Sequence, residues 1–284
     1  MGLFLYFCAR FHRRSGKQAC SLVVSVERDN TSEAPKPAKR HNQRSAKTSE
    51  PKASAKTSEA QKLITNKIMD SLDLTLAKKL LKINAIMLQP ERPFVWGNGW
   101  NAPIYNDNKI VLSYPDMRRF VKVELSRLIL EHFPEAQVVA SVAMGSIAMG
   151  ALVADTLGLP FVYVRDVPKD HGLENLIEGN FEPGQKVVLI EDLVSTGSNA
   201  LKALREMQLA GGDVMGMVAM FTYDFEPAVA AFKEEDLKLI ALTNYHAMIE
   251  AALATQYIKD EDVDTLELWH DSPESWTPAA TKLD

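Results

Sequence analysis

The sequence of 284 residues predicts an α/β fold in which helices flank a mainly parallel sheet. From residue 138 onward, short apolar runs rich in β-branched residues alternate with segments of helical periodicity. Hydrophobic residues form 46% of the chain, which is enough for a sizeable core. Because ligands of such folds bind beyond the carboxyl ends of the strands, we expect the functional residues there.

Residues 1–68 differ from the rest of the chain in composition and charge. They carry 14 Lys and Arg against 5 Asp and Glu, and they repeat the motif Ser-Ala-Lys-Thr-Ser-Glu at 45–50 and 54–59. Such a segment is too polar to offset the entropy of ordering, so we expect a disordered basic extension. An organelle transit peptide and an over-extended reading frame both explain it, the second because Met69 directly precedes a helical pattern.

The body, residues 69–284, is acidic and contains neither of the two cysteines of the chain. It therefore has no structural disulfide and no cysteine-ligated zinc. Its negative charge argues against nucleic acid as a partner, and we expect none. The sequence contains no apolar run of about 18 residues, so we expect no membrane association and a cytoplasmic protein.

The elements of the body follow in order. Leucines at helical spacing from Leu72 to Leu81 predict a short amphipathic helix, and Pro115 favours the start of a long one. Between them, residues 84–112 are broken by prolines and glycines and predict short strands and turns in a small N-terminal hood. Then strands predicted at 138–141, 161–165, 186–191 and 214–222 alternate with helices at 147–157 and 199–209.

The segment 187–198 has the parts of a site for a phosphorylated ribose. An apolar strand ends in Glu191 and Asp192, and the turn 195–198, with Gly197 in it, leads into a helix. Backbone N–H groups at such a helix start bind phosphate, while adjacent carboxylates suit the two vicinal hydroxyls of a ribose. The structural alternative is a loop with an ordinary helix cap.

Two more loops are candidates for ligand contacts. A long polar loop connects Arg165 to the strand at 186 and carries Lys169 and His171, which is typical of a functional lid. The loop 143–147, which contains Met144 and Gly145, starts another helix and is suited to bind an anion. A solvated connection and a tight strand-to-helix turn are the structural alternatives.

The segment 187–198 resembles the phosphoribosyl diphosphate signature of type I phosphoribosyltransferases. Over residues 72–276 the body resembles the orotate phosphoribosyltransferase family, and the motif Lys169-Asp-His-Gly points to that branch. Other matching motifs lie at 112–115, 150–155, 161–165, 216–219, 221–223 and 242–245. The resemblance implies the type I phosphoribosyltransferase fold and transfer of a 5-phosphoribosyl group to orotate, giving orotidine 5′-phosphate and diphosphate in pyrimidine biosynthesis.

The resemblance also implies roles for individual residues. Lys169 would bridge to the diphosphate and assist proton movement, His171 would be a supporting donor, and Asp192 would hold the ribose; these three are the expected catalytic residues. Magnesium would be bound mainly through the substrate, and the protein would be a homodimer whose loop closes over the neighbouring site. The expected substrate-binding residues are Arg165, Glu191, Asp192, Leu193, Val194, Ser195, Thr196, Gly197, Ser198, Asn199, Met144 and Gly145.

The acceptor pocket would come from the hood, where Trp96 and Trp100 could stack on a flat base or simply belong to the core. The sequence departs from the family's usual pattern at Asn101, Ala102, Ser141, Met144 and Asp224. Two other functions stay open at this point. One is a phosphoribosyltransferase for another base such as a purine, and the other is a non-catalytic regulator that binds a phosphoribosyl group.

Overall fold

The computed structural model describes residues 72–167 and 176–278. The expected extension at 1–68, and with it the boundary at Met69, lies outside the described residues. Lys169 and His171 lie outside them as well. Within the described part of the chain, no helix is long and apolar enough to cross a membrane.

The described chain begins with helix α1, residues 72–82, as its leucine spacing predicts. Four short strands follow in two antiparallel pairs, each too small to be stable without packing against the rest of the protein. A 3₁₀ helix then leads to the long helix that Pro115 starts. The pairs are β1 (Ile86–Leu88) with β4 (Ile104–Asn106) and β2 (Phe94–Val95) with β3 (Asn101–Ala102); the 3₁₀ helix is Asn108–Ser113 and α2 is Pro115–His132.

The centre of the fold is a six-stranded sheet in the order β10-β9-β8-β5-β6-β7, parallel except for β7. This confirms the predicted α/β class and its mainly parallel sheet. The strands are β5 (Val138–Val142), β6 (Phe161–Val164), β7 (Ile177–Glu178), β8 (Lys186–Val194), β9 (Asp213–Thr222) and β10 (Leu239–Asn244). The helices are α3 (Ile147–Leu157), α4 (Ser198–Leu209), α5 (Glu226–Glu234), α6 (Tyr245–Ala254) and α7 (Asp260–Asp271).

Two apolar clusters form the core on opposite faces of the sheet. Residues such as Leu125 of α2 and Met149 of α3 belong to one cluster, and residues such as Leu204 of α4 belong to the other. The inner strands are buried on both faces, which explains why they read as continuous apolar runs. The parallel strands all end at one edge of the sheet, and the loops that follow β5 and β8 meet there.

Among the strands of the central sheet, the end of β8 differs most from its predicted boundary. The strand predicted at 186–191 continues to Val194, because β9 keeps pairing with it: Leu193 pairs with Phe221, and Val194 pairs with Thr222. The carboxylates Glu191 and Asp192 therefore lie within the strand and not in a loop. Pairing of Glu191 and Leu193 with β9 holds the strand in place on either side of Asp192.

Candidate active site

The loop between β8 and α4 has the conformation expected of an anion site. Gly197 adopts a left-handed conformation with φ of 77°, which favours glycine, and it precedes the first residue of α4. No side chain caps this helix start, so its first backbone N–H groups are available to a ligand. The hydroxyls of Thr196 and Ser198 lie 3.1 Å apart, and both residues are exposed, as is Asn199. The helix start and two hydroxyls therefore present several donors to one place.

Glu191 and Asp192 differ strongly in their surroundings. Glu191 is only 6% exposed, and its Oε1 accepts a hydrogen bond of 3.0 Å from the backbone N–H of Asp192. Burial, followed by the hydrogen bond and negative charge of Asp192, raises the pKa of Glu191 well above its usual value. Asp192 is half-buried. Asp192 is therefore the accessible carboxylate of the pair.

The loop after β5 lies directly against this carboxylate. A Cβ atom added to Gly145 would come within 2.4 Å of Asp192 Oδ1, so the absence of a side chain at 145 allows the approach. Helix α3 starts two residues later, and Ser146 does not cap it, because its Oγ lies 2.6 Å from the Val142 carbonyl and 2.9 Å from that of Ile190. The loop thus presents a second uncapped helix start beside Asp192. The peptide bond between Ala143 and Met144 is cis.

Two residues that the sequence did not single out support Asp192 from the hood side. Asn108 is 1% exposed, and its Nδ2 donates a hydrogen bond of 2.7 Å to the backbone carbonyl of Asp192. Lys109 pairs with Asp107 at 2.8 Å, and that hydrogen bond raises the pKa of Lys109. The negative charge of Asp192 raises the same pKa further. Asn108 lies 84 residues from Asp192 in the sequence, and no local pattern connects the two.

Of the predicted cations, only Arg165 lies within the described residues. Its Nη1 is 3.5 Å from Glu178 Oε1, and its backbone N–H donates to the carbonyl of Leu176. Arg165 is thus held at the start of the polar loop by β7 and the residue before it. Leu193 and Val194, which were also expected to bind substrate, belong to β8; Val194 is buried, whereas Leu193 is half-buried and borders a cavity.

A cavity of about 320 Å³ lies between the hood and the carboxyl ends of β8 and β9. Ser195 borders it, so the cavity adjoins the anion site of the β8–α4 loop. Its volume falls in the usual range for small-molecule sites. The residues around it come from four segments of the chain: Val95, Trp96, Gly97, Asn98, Tyr105, Asn106, Leu193, Ser195 and Tyr223.

Trp96 packs against the core and also borders the cavity, and stacking of a base on the hood tryptophans stays a prediction. Trp96 stacks on Trp100 with ring centroids 6.3 Å apart, and it borders the cavity. Trp96 is also packed against the core, since its ring contacts Tyr223 and Trp269 and its Nε1 donates to the Ile104 carbonyl. One face of this aromatic group is therefore structural, and another part of it borders the cavity.

The structure shows the contacts of three residues at which the sequence departs from the family pattern. Ser141 is completely buried, and its Oγ donates a hydrogen bond to the backbone carbonyl of Ser146. The side chain of Ser141 therefore stabilises the β5–α3 loop. The backbone carbonyl of Asn101 accepts from Trp269 Nε1 at 3.0 Å. Asp224 Oδ1 accepts a hydrogen bond from the Thr222 hydroxyl, and Asp224 borders a separate cavity of about 150 Å³.

The sequence is similar to those of bacterial orotate phosphoribosyltransferases. It is 55% identical to the enzyme of Phocaeicola vulgatus over 208 residues, which cover 73% of this chain and 98% of the relative. It is 52% identical to the enzyme of Porphyromonas gingivalis over 208 residues, which cover 73% of this chain and 99% of the relative. No family model matches the chain.

The fold is similar to that of a solved orotate phosphoribosyltransferase from Aeropyrum pernix. The TM-score is 0.57 at 23% identity, and the superposition covers 65% of this chain and 99% of the other. At this identity the likeness concerns the fold alone, and it confirms the predicted type I phosphoribosyltransferase fold.

Proposed function

The chain belongs to the orotate phosphoribosyltransferase family, and we propose that its active site is the edge of the sheet where the β5–α3 and β8–α4 loops meet. The enzyme transfers a 5-phosphoribosyl group from phosphoribosyl diphosphate to orotate in pyrimidine biosynthesis. The observation that supports this site best is the approach of Gly145 to the Asp192 carboxylate, which brings two uncapped helix starts to one ribose-binding group.

Each part of the substrate has a matching part of the site. The 5-phosphate binds the start of α4, where backbone N–H groups and the hydroxyls of Thr196 and Ser198 are donors. Asp192 accepts hydrogen bonds from the ribose hydroxyls. The buried Glu191 holds Asp192 by accepting a hydrogen bond from its backbone N–H. The diphosphate binds the start of α3 beside Gly145. This assignment orders the substrate along the edge of the sheet.

The reaction breaks the bond between ribose C1 and the diphosphate oxygen, whose electron pair leaves with the diphosphate. Orotate N1 forms the new bond to C1 and gives up its proton. Positive charge grows on the sugar and negative charge on the diphosphate, so cations at the diphosphate stabilise the transition state. Lys169 holds the diphosphate and assists proton movement, with His171 and Arg165 as further donors. Closure of the loop excludes water from the reactive sugar.

Magnesium takes part through the substrate. Asp192 provides the type of oxygen that magnesium prefers, but among the described residues no three His, Cys, Asp or Glu side chains are grouped to hold an ion. Asp192 would hold the ion together with oxygens of the substrate, and the ion would neutralise charge on the leaving group. Turnover should stop with a chelator and return with added magnesium; turnover that persists in the chelator would contradict this role.

The enzyme works as a homodimer in which the polar loop closes over the partner's site. Sedimentation velocity of the full chain tests this directly. A dimer is expected, and a strict monomer with full turnover would contradict the sharing of the loop. Mixing inactive Asp192→Asn and Lys169→Ala chains should restore part of the activity, because one of the two sites in a mixed dimer would then have both residues intact.

We further propose that the protein acts in the cytoplasm. The acidic body and the absence of a membrane-spanning helix among the described residues agree with this. Fractionation of cells that express the full chain, followed by immunoblotting, should place it with cytoplasmic marker enzymes. Recovery with an organelle fraction would contradict the proposal and favour a targeting role for the extension at 1–68.

The experiment that tests the function is an acceptor panel. The full chain is incubated with phosphoribosyl diphosphate, magnesium and either orotate, uracil, adenine or hypoxanthine, and loss of base is followed by absorbance. Orotate should be consumed far faster than the other bases. Preference for a purine would establish the alternative transferase, and binding of phosphoribosyl diphosphate without turnover of any base would indicate a regulator.

The role of Lys169 is tested in the same assay. Lys169→Ala should lower kcat by at least about 100-fold, as is typical when a group that stabilises transition-state charge is removed. Lys233→Ala removes the same charge from an exposed part of α5 and should keep wild-type turnover. Unchanged turnover in a folded Lys169→Ala chain would refute the assignment.

A further inference from the structure

Two residues that border the cavity between the hood and β8–β9 carry buried polar atoms that have no hydrogen-bond partner in the protein. In residues 72–167 and 176–278, four buried side-chain nitrogen or oxygen atoms lack a partner, and all four belong to Asn106, Asn108 and Tyr223. Asn106 and Tyr223 border the cavity itself. Native proteins rarely bury such atoms unpaired, and a cluster of them calls for an explanation.

Asn106 contributes both ends of its carboxamide. It is the last residue of β4, and neither its Nδ2 nor its Oδ1 has a partner although both atoms are buried. Asn108, the next buried polar residue of this segment, differs from Asn106. Its Nδ2 donates a hydrogen bond to the backbone carbonyl of Asp192. The carboxamide of Asn106 thus has one donor group and one acceptor that the protein does not use.

Tyr223 contributes a hydroxyl. It is 1% exposed, and its ring is fixed by stacking on Phe225 at 5.1 Å and by edge contacts with Phe221 and Trp269. The His270 ring nitrogen Nε2 lies 2.6 Å from the backbone carbonyl of Tyr223, to which it donates a hydrogen bond. The ring and backbone are therefore held firmly while the hydroxyl at the end of the side chain stays unpaired. Burial raises the pKa of this hydroxyl well above its usual value, so it remains a protonated donor.

We propose that Asn106 and Tyr223 are the residues that recognise the polar edge of the acceptor base. A carboxamide presents an N–H donor beside a C=O acceptor, and this pair matches the C=O and N–H of a lactam edge, such as the imide of a pyrimidine dione. The tyrosine hydroxyl donates to a further ring carbonyl or carboxylate oxygen. This inference rests on the proposed function, because it assumes that the acceptor occupies this cavity.

The opposite effects of one substitution on binding and on stability test the inference. Removing an unpaired buried hydroxyl relieves its cost in the free protein, whereas removing the partner of a substrate atom weakens binding. Tyr223→Phe should therefore raise the KM for orotate at least about tenfold, the ratio that corresponds to one lost hydrogen bond. It should leave the KM for phosphoribosyl diphosphate unchanged, and the Tm of the ligand-free variant should equal or exceed that of the wild type. Asn106→Leu, of similar volume and without polar atoms, should behave in the same way.

Tyr245→Phe is the matched control. Tyr245 belongs to the same aromatic group and is also completely buried, but its hydroxyl donates a hydrogen bond of 2.9 Å to the Leu266 carbonyl. Its loss should lower the Tm and leave the KM for orotate unchanged. If Asn106→Leu does not fold, Tyr223→Phe alone still decides, since it removes a single oxygen atom.

The outcomes separate this inference from the proposed function. Wild-type KM values for orotate in Tyr223→Phe and Asn106→Leu, with turnover intact, would overturn the inference and leave the function standing. A lower Tm in ligand-free Tyr223→Phe, similar to that of Tyr245→Phe, would also overturn it, because it would mean that the hydroxyl is satisfied within the free protein. A wild-type chain that fails to turn over orotate while it consumes another base would overturn the function and the inference with it.

Discussion

Substitution of Gly145 by alanine tests how closely the two anion loops approach each other. The added Cβ would lie 2.4 to 2.6 Å from the carboxylate atoms of Asp192, where ordinary contact begins at 3.4 Å. The carboxylate must therefore move by about 1 Å, and a displacement of that size in a catalytic group can cost about 100-fold in rate. We expect kcat/KM for phosphoribosyl diphosphate to fall by about that factor, which corresponds to about 2.7 kcal/mol of transition-state stabilisation. Because the Asp192 side chain is half-buried and can rotate, the Tm should change little.

A double-mutant cycle isolates the cause of this loss. In an Asp192→Ala background the clashing carboxylate is gone, so Gly145→Ala should reduce the binding of phosphoribosyl diphosphate no further. Titration calorimetry of the single and double variants measures the difference. Full activity of Gly145→Ala would refute the close approach of the two loops, and an equal additional loss in the Asp192→Ala background would show that Asp192 is not the group displaced.

Three further predictions concern stability, each measured by urea unfolding. The pKa of Glu191 is raised, so the folded protein holds the proton of this carboxyl more tightly than the unfolded chain does. The stabilisation from this proton is complete below the ordinary pKa of 4.5 and is lost as the pH rises through the raised value. Glu191→Gln should remove that decline in stability, and parallel pH curves for the two proteins would contradict it. Gly150→Ala would place a Cβ 1.9 Å from Ser141 Oγ and should lower the free energy of unfolding by about 1–3 kcal/mol. Adding Ser141→Ala should recover part of that loss, and wild-type stability of Gly150→Ala alone would contradict the close packing. Trp269→Phe removes the hydrogen bond to the Asn101 carbonyl and should cost about 1–3 kcal/mol, with wild-type stability as the opposing result.

The sequence predicted the elements that repeat a simple pattern. The limits of α3 and the start of α2 at Pro115 agree with the predictions, because helical periodicity and a proline at the first position are local signals. Local signals also identified the turn at Gly197, whose positive φ favours glycine. Polar residues after apolar strands were correctly placed at the carboxyl edge of a parallel sheet.

The sequence did not predict features that depend on contacts between distant segments. The extension of β8 to Val194 follows from pairing with β9, and the hydrogen bond from Asn108 to Asp192 spans 84 residues. The hood is tied to α7 by Trp269, 168 residues from its partner Asn101. These residue types are common in many surroundings, so only the folded chain distinguishes their roles.

The unequal burial of the two acidic residues is a further case. The sequence shows adjacent carboxylates, which suggests two similar ribose ligands. The structure buries Glu191 and leaves Asp192 half-exposed, one residue nearer the carboxyl end of the strand. The position of Asn106 and Tyr223 at the cavity, and their unpaired polar atoms, follow only from the folded structure.

The most direct single measurement is orotate turnover by the full wild-type chain and by its Asp192→Asn variant, at saturating phosphoribosyl diphosphate and magnesium. This substitution keeps the size of the side chain and removes the negative charge that faces the ribose. We expect orotate loss that requires both substrates in the wild type and a rate at least about 100-fold lower in a variant that still folds. Equal rates in the two proteins would contradict the placement of the active site at the end of β8.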